Sequence, residues 1–204
     1  TPRLRLIACG ALARALLAII NQLPPIVVEL ACLPAAWHNH PEKIVPGLKV
    51  KVKAARKAGR TPVVIYGDCG TGGQRDAFLD EQNIQRNLGP HCYHSLMGDA
   101  GFDAAMDQEL GTFFLTDYMV RHFERIVMKE AGLRDHPQLR DIYFAHYKRV
   151  LYVAQTGDAA LVEKVRQAAA TLQLEYDYHY TGFDDYTAFL HNLCNRRQPS
   201  IGVR

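Results

Sequence analysis

The sequence predicts an α/β protein: one doubly wound, Rossmann-like domain over residues 1–204, on a mostly parallel sheet of about five strands. Three observations carry this. Short apolar runs alternate with amphipathic stretches of roughly 11–17 residues, the pattern of repeated strand–helix units. Most of the apolar runs end on glycine or cysteine, as strands do where they leave a sheet into a turn. No internal repeat, low-complexity tract or linker interrupts the alternation, so one domain is expected.

Residues 4–10 read as a buried strand closed by Gly10. Residues 11–21 carry apolar side chains at helical spacing, and Pro24-Pro25 stops that helix. A second strand is expected over 26–31, then a loop over 33–41. An amphipathic helix follows over 42–58, with Gly59 at its C-terminal cap. The clearest strand is 61–66, centred on Val63-Val64-Ile65-Tyr66. A helix is expected over 75–85, and the glycine-punctuated stretch 89–116 reads as loop-rich. Thr116 can cap a long helix over 117–131, and another helix runs over about 137–148. A fourth strand (150–154), a helix (158–172), a fifth strand (174–180) and a last helix (184–195) complete the reading.

Composition narrows the function classes. A hydrophobic share of 48% with 22% charged residues is that of a globular chain. The net charge of +3 falls well short of a nucleic-acid footprint, and Lys49, Lys51, Lys53, Arg56 and Lys57 read as the wet face of a helix. No apolar stretch approaches the ~20 residues needed to span a bilayer. Residues 8–23 contain Arg14 and lack a small-residue cleavage site, so they read as a core helix and not as a leader. Five cysteines, an odd number, then point to thiols or ligands in a cytoplasmic protein and not to disulfides.

Ligands of open parallel sheets bind beyond the carboxyl ends of the strands, and chemistry-bearing residues gather there. The first strand ends in Cys9-Gly10, and the second in Cys32 with His38-Asn39-His40 close behind. The third ends in Gly67-Asp68-Cys69-Gly70-Thr71-Gly72-Gly73, the fourth in Gln155-Thr156-Gly157. Four glycines in that seven-residue loop let the backbone turn its N–H groups toward a ligand. A helix N-terminus just after it favours Cys69 as thiolate. The loop is neither a Walker A motif, whose lysine it lacks, nor a dinucleotide fingerprint, whose glycine spacing it does not match. In Gly89-Pro90-His91-Cys92-Tyr93-His94, histidines flank a cysteine at spacings that suit a soft or borderline metal. Taken together, Cys9, Cys69 and Cys92, with His91 beside them, could hold a [4Fe–4S] cluster with one open iron, the favoured reading, or a zinc ion. Cys32 is a possible fourth ligand and Cys194 a core residue. Asp68 and His38 are the candidate proton carriers. Gly10, Asn39, Gly67, Gly70, Thr71, Gly72, Gly73 and Gln155 are the candidate ligand-binding positions.

These stretches resemble the bacterial and archaeal family called domain of unknown function 1638. The resemblance runs through Ala8-Cys9-Gly10-Ala11-Leu12, His38-Asn39 with Pro41-Glu42, residues 66–73, Gly89 to Tyr93, residues 111–117 with Arg121-His122-Phe123, and Ala154-Gln155-Thr156. His94 departs from the acidic residue expected after the tyrosine. The resemblance implies a setting in one-carbon metabolism of methylated amines, beside corrinoid-dependent methyltransferases and their corrinoid carriers. The substrate class would be a small methylated-amine-type or sulfur compound. Three readings stay open: a metal- or iron–sulfur-binding enzyme or accessory factor, a metal-free enzyme with Cys69 as nucleophile and His91 or His38 as base, and a non-catalytic partner of a corrinoid protein or methyltransferase. An exposed apolar patch at Trp37 or Phe113-Phe114 would mark the third.

Overall fold

Leu4, Leu6, Ile7 and Ala8 are all buried, so the first strand, β1 (Leu4–Cys9), is apolar on both faces and must lie inside a covered sheet. The computed structural model describes residues 3–23, 28–87 and 91–195. The chain divides into two compact units, Thr1–Ser95 with Phe183–Arg204, and Leu96–Gly182.

In the first unit β1 pairs in parallel with β2 (Val28–Leu33) and β3 (Thr61–Ile65), and β3 with β4 (Gln85–Arg86). The order is β2-β1-β3-β4. The chain leaves β1 to one side for β2, then crosses to the other side for β3. The strand order therefore reverses between β1 and β3, which is where an open α/β sheet makes its binding crevice. Helices α1 (Ala13–Ile20), α2 (Ile44–Lys57) and α3 (Gln74–Glu81) supply the crossovers. Ile44, Leu48, Val52 and Ala55 form the buried stripe of α2, at spacings of three and four residues. They pack with Ile7, Leu33, Val64, Tyr66, Phe78 and Leu79 into one core. Helix α4 (Cys92–Gln108) begins in this unit and is interrupted at Gly98, whose φ of 68° and ψ of 163° are not helical.

The second unit holds a three-stranded parallel sheet, β5 (Thr112–Thr116), β6 (Arg149–Ala154) and β7 (Glu175–Tyr180), in that order. Thr116 caps α5 (Asp117–Arg121) by accepting from the Met119 N–H at 3.4 Å. A π-helical segment, Glu124–Lys129, and the short α6 (Leu139–Tyr143) follow. Helix α7 (Ala159–Leu172) covers β6 with Leu161, Val165, Ala168 and Ala169. The last helix, α8 (Asp184–Asn195), returns to the first unit.

The α/β class, the parallel pairing and the doubly wound, Rossmann-like arrangement agree with the sequence reading; among the described residues the strands lie in two sheets, of four and three. The stretch expected to be loop contains α4 and β5; Gly98 and Gly101 mask the helix, and Phe113-Phe114 belong to a strand. The long helix expected over 117–131 is broken after Arg121. Pro24, Pro25, Ile26, Val27, Gly89 and Pro90 lie outside the described residues, and β2 runs two residues past its expected end.

Candidate functional site

The first unit places Cys9 at the end of β1, Cys69 in the loop after β3 and Cys92 at the start of the helix that follows β4, the three strands being adjacent in the sheet. Cys9 is the last residue of β1, and Gly10 follows because the chain passes very close to β2. A Cβ at Gly10 would lie 3.0 Å from the Leu33 carbonyl oxygen and 3.3 Å from the Ala35 nitrogen. Cys69 lies in the glycine loop with a φ of 48°, a left-handed backbone that costs a non-glycine residue about 1–2 kcal/mol. Gly70, Gly72 and Gly73 share that positive-φ region without the cost. Gly67 is a glycine for a steric reason: a Cβ there would stand 2.9 Å from the His91 Cα and 3.0 Å from the Cys92 nitrogen. That close approach joins the β3 loop to the start of α4.

The loop is shaped by Asp68. Its carboxylate accepts from the Thr71 hydroxyl and from the Gly72 and Gly73 N–H groups, each of the latter at 3.1 Å. Burial works against its charge, but those donors and the Arg75 guanidinium outweigh it and hold the carboxyl below the usual range. Two of the N–H groups expected to cradle a ligand, those of Gly72 and Gly73, are thus occupied by the loop's own side chain. Arg75 is buried, donates to the Tyr66 carbonyl oxygen and pairs with Asp76. The Tyr66 N–H donates to Asn87 Oδ1 at 2.9 Å, so the backbone of Tyr66 is clamped from both sides.

All three thiols are raised. Burial pushes Cys9 up and takes Cys69 to about 11, with Cys9 and Asp68 adding to the latter and Arg75 opposing. Burial, Cys69 and Cys9 push Cys92 up to about 12. Each sulfur nevertheless has backbone N–H groups facing it: Ala11 for Cys9, Gly67 for Cys69, and Cys92 and Tyr93 for Cys92. The expectation that a helix N-terminus makes Cys69 a thiolate is therefore corrected, since α3 starts only at Gln74 and burial dominates. Cys32, opposite Ala8 in the sheet, is raised by burial and by Cys9.

Two side chains that the sequence did not single out complete the cluster. Tyr66 and Tyr186 are 1% and 2% exposed. Their hydroxyls are buried without a hydrogen-bond partner. The Tyr66 hydroxyl lies beside the Cys9 thiol, and its acidity is depressed by burial and by all three cysteines. Tyr186, from α8, is influenced in the same way by burial and then by Cys92. Its other polar neighbour is Ser95, which accepts from the Asn87 amide at 2.7 Å and also lowers the Tyr186 hydroxyl's pKa. A tyrosine ending an apolar strand at a glycine loop was a readable signal for Tyr66; nothing in the sequence marked Tyr186.

The remaining predicted residues take less central positions. His38 and Asn39 are exposed in the short helical turn Ala35–Asn39, whose continuation at Pro41 meets Gly70. His91 Nδ1 accepts from the His94 N–H at 3.4 Å, and burial and His94 keep its imidazole neutral to lower pH. Gln155 belongs to the second unit. Its Oε1 accepts from the Asp117 N–H, while its own N–H donates to the Asp117 carboxylate, both at 3.0 Å. Trp37 is half-buried over Gly47, Phe114 is buried, and the half-buried Phe113 packs edge-on to Phe144 and to the exposed Tyr147. Cys194 is buried on α8, as expected.

Among the described residues, no three or more histidine, cysteine, aspartate or glutamate side chains converge closely enough to hold a metal ion as they lie. No helix among them is long and apolar enough to cross a membrane. A family model described as "Protein of unknown function (DUF1638)" matches residues 32–190, a stretch that includes Cys69 and Cys92 and begins after Cys9. No curated protein and no solved structure matches the chain.

Proposed function

We propose, from the premise that this chain belongs to the DUF1638 family, that Cys9, Cys69 and Cys92 form a binding site for a thiophilic metal centre at the carboxyl edge of the first sheet. The observation that carries it is electrostatic. Three half-buried thiols, Cys69 and Cys92 further raised by their cysteine neighbours, have backbone N–H groups that favour their ionised form. Backbone N–H groups favour the thiolate, yet burial and the crowding of three anions forbid it. A cation resolves that conflict, because a coordinated thiol gives up its proton outright.

The donor set fits an iron–sulfur cluster of the [4Fe–4S] type, the favoured occupant, or zinc, since both take three thiolates and leave a position for substrate. His91, which burial and His94 keep neutral to lower pH, adjoins Cys92 in sequence and is the donor that would fill the remaining position in the absence of substrate. Convergence requires the cysteine side chains to move from where they lie. Even an off-rotamer setting costs only about 0.5–1.5 kcal/mol, against roughly 10–16 kcal/mol for binding at structural zinc sites. The centre would supply Lewis-acid or redox chemistry at its open position. Asp68 holds the loop that carries Cys69, and its lowered pKa and three accepted hydrogen bonds suit positioning better than proton abstraction. The same raised thiols weigh against a metal-free Cys69 nucleophile, which would be almost entirely protonated at neutral pH.

The resemblance supplies the setting of this reading: one-carbon chemistry on a methylated-amine-type or sulfur substrate, with a corrinoid protein or methyltransferase as partner. The test is iron, zinc and sulfide content on protein purified without oxygen, beside Cys69→Ala. Iron with sulfide, or zinc, at about one centre per chain and lost in the variant supports the site. Wild-type protein that retains none of them, and takes up none on reconstitution, refutes it.

A further inference from the structure

Residues 43–67 include seven basic side chains and no acidic one, and the fold does not spread them evenly over a wet surface. Arg56 and Arg60 line a cavity of about 680 Å³ with Thr61, Asn83 and Gln85, at the amino ends of β3 and β4. Arg56 also lines an adjoining cavity of about 390 Å³ between α2 and α3, with Lys49 and Lys53. The charge there is not balanced. Among the described residues, Glu81 is the one carboxylate lining either cavity, against four cations. Glu29, which holds Arg60, is shared with Arg5 and so offsets only one of the two. Both arginines are held from behind. Arg60 donates from Nε and Nη2 to Glu29, and its side chain is only 14% exposed. Arg56 donates from Nη1 to Gln82 Oε1 at 2.7 Å and from Nη2 to the Gln82 carbonyl oxygen at 2.9 Å. Among the described residues, Arg60 Nη1 and Arg56 Nε have no such acceptor.

We propose that this cavity is a second ligand site, on the edge of the first sheet opposite the cysteines, and that it takes a small molecule carrying linked phosphates. Arg56 and Arg60 are its phosphate-binding residues, and Lys49 and Lys53 extend the cationic wall into the adjoining cavity. Two guanidiniums fixed at one cavity, each with a donor to spare, match two joined oxyanions better than one. The planar guanidinium fork is also the side chain best suited to phosphate. A small molecule fits better than a nucleic-acid strand because the positive charge is recessed into a cavity, whose volume lies within the roughly 300–1,000 Å³ of small-molecule pockets. Asn83 and Gln85 supply neutral amide groups for the rest of the ligand. The inference is independent of the metal centre, since none of these residues belongs to the cysteine cluster.

The experiment is calorimetric titration of the full chain with inorganic pyrophosphate and with ATP, without added metal and at low ionic strength, on the wild type, Arg56→Gln, Arg60→Gln and Lys57→Gln. The wild type is expected to bind, and the two arginine variants to bind about 10-fold or more weaker, the effect of losing a hydrogen bond to a charged group. Arg56 is exposed, so its variant keeps the fold even if loss of Arg60 beside Glu29 does not. Lys57→Gln removes the same charge from the same helix at a residue that lines neither cavity. Its affinity is expected to stay within about 3-fold of the wild type, since an exposed charge outside the site acts only through screened attraction. ATP binding more tightly than pyrophosphate assigns the phosphates to a nucleotide; equal binding assigns them to a free polyphosphate, and either outcome supports the site. No heat from either probe in the wild type overturns it. Weakening by Lys57→Gln as great as by Arg56→Gln overturns it too, because the attraction is then diffuse. Binding of a single-stranded oligonucleotide without any response to pyrophosphate overturns it in favour of a nucleic-acid surface.

Discussion

Replacing Gly67 by alanine tests how the site is assembled. The added methyl would stand 2.9 Å from the His91 Cα, 3.0 Å from the Cys92 nitrogen and 3.1 Å from the His91 carbonyl carbon. All three are backbone atoms, so no side chain can swing aside. Restoring ordinary contact means moving the two segments apart by about half an ångström, and overpacking of this kind costs about 1–3 kcal/mol. In a chain of this length that corresponds to a fall of roughly 2–12 °C in Tm. The displacement also carries Cys92 away from Cys69, so affinity for Co²⁺, used as a probe of the proposed metal site, is expected to drop together with stability. Gly72→Ala is the control. Its methyl would meet nothing within 4 Å, and its φ of 60° leaves only the left-handed strain of about 1–2 kcal/mol. The two variants are therefore expected to lose comparable stability, while on the three-cysteine proposal only Gly67→Ala weakens Co²⁺ binding. Thermal unfolding of the metal-free forms and cobalt titration of both decide it. A Gly67→Ala protein that melts and binds like the wild type would refute the close approach and the argument built on it.

Two further predictions follow from the electrostatics and from the second unit. The raised thiols keep their protons in the folded state while the unfolded chain loses them near the ordinary value of 9.0, so the metal-free protein is expected to lose stability as pH rises from about 9 toward 12. Denaturant titrations at pH 8 and pH 10.5 check this, and a Cys69→Ala/Cys92→Ala double variant should show a flatter profile; equal stability of the wild type at both pH values contradicts it. Asp117, at the junction of β5 and α5, accepts from the Tyr152 hydroxyl at 2.8 Å, the Gln155 N–H at 3.0 Å and the Thr156 hydroxyl at 2.5 Å. Asp117→Ala strands two of these donors in the interior and is expected to cost about 3 kcal/mol or more in denaturant unfolding; a loss under 1 kcal/mol would show the network to be dispensable.

What the sequence reveals most clearly is the first unit's crevice. An apolar run leading into Cys9-Gly10, and another into the glycine loop, mark strand ends without any need for tertiary information. The register of β1 with β3, Ala8 opposite Ile65, then sets their loops side by side. The state of the thiols is less legible, because a nearby helix start and a run of glycines suggest ionisation while burial, visible only in three dimensions, decides against it. The division into two sheets is also hidden. β5 is only five residues, and its Phe113-Phe114 pair reads equally well as core or as strand. Tyr186 is beyond reach of sequence argument altogether, since its place in the cluster depends on α8 returning to a unit that the chain left about 90 residues earlier.

The Asp68 carboxylate, seated on the N–H groups of Gly72 and Gly73, also settles a question of competition. It is tethered three to five residues from its donors, so its effective concentration at those groups is millimolar or greater. Free phosphate, sulfate or the phosphate tail of a nucleotide would have to evict an anion that never diffuses away. A phosphorylated ligand drawn to those two N–H groups would meet a carboxylate already seated on them.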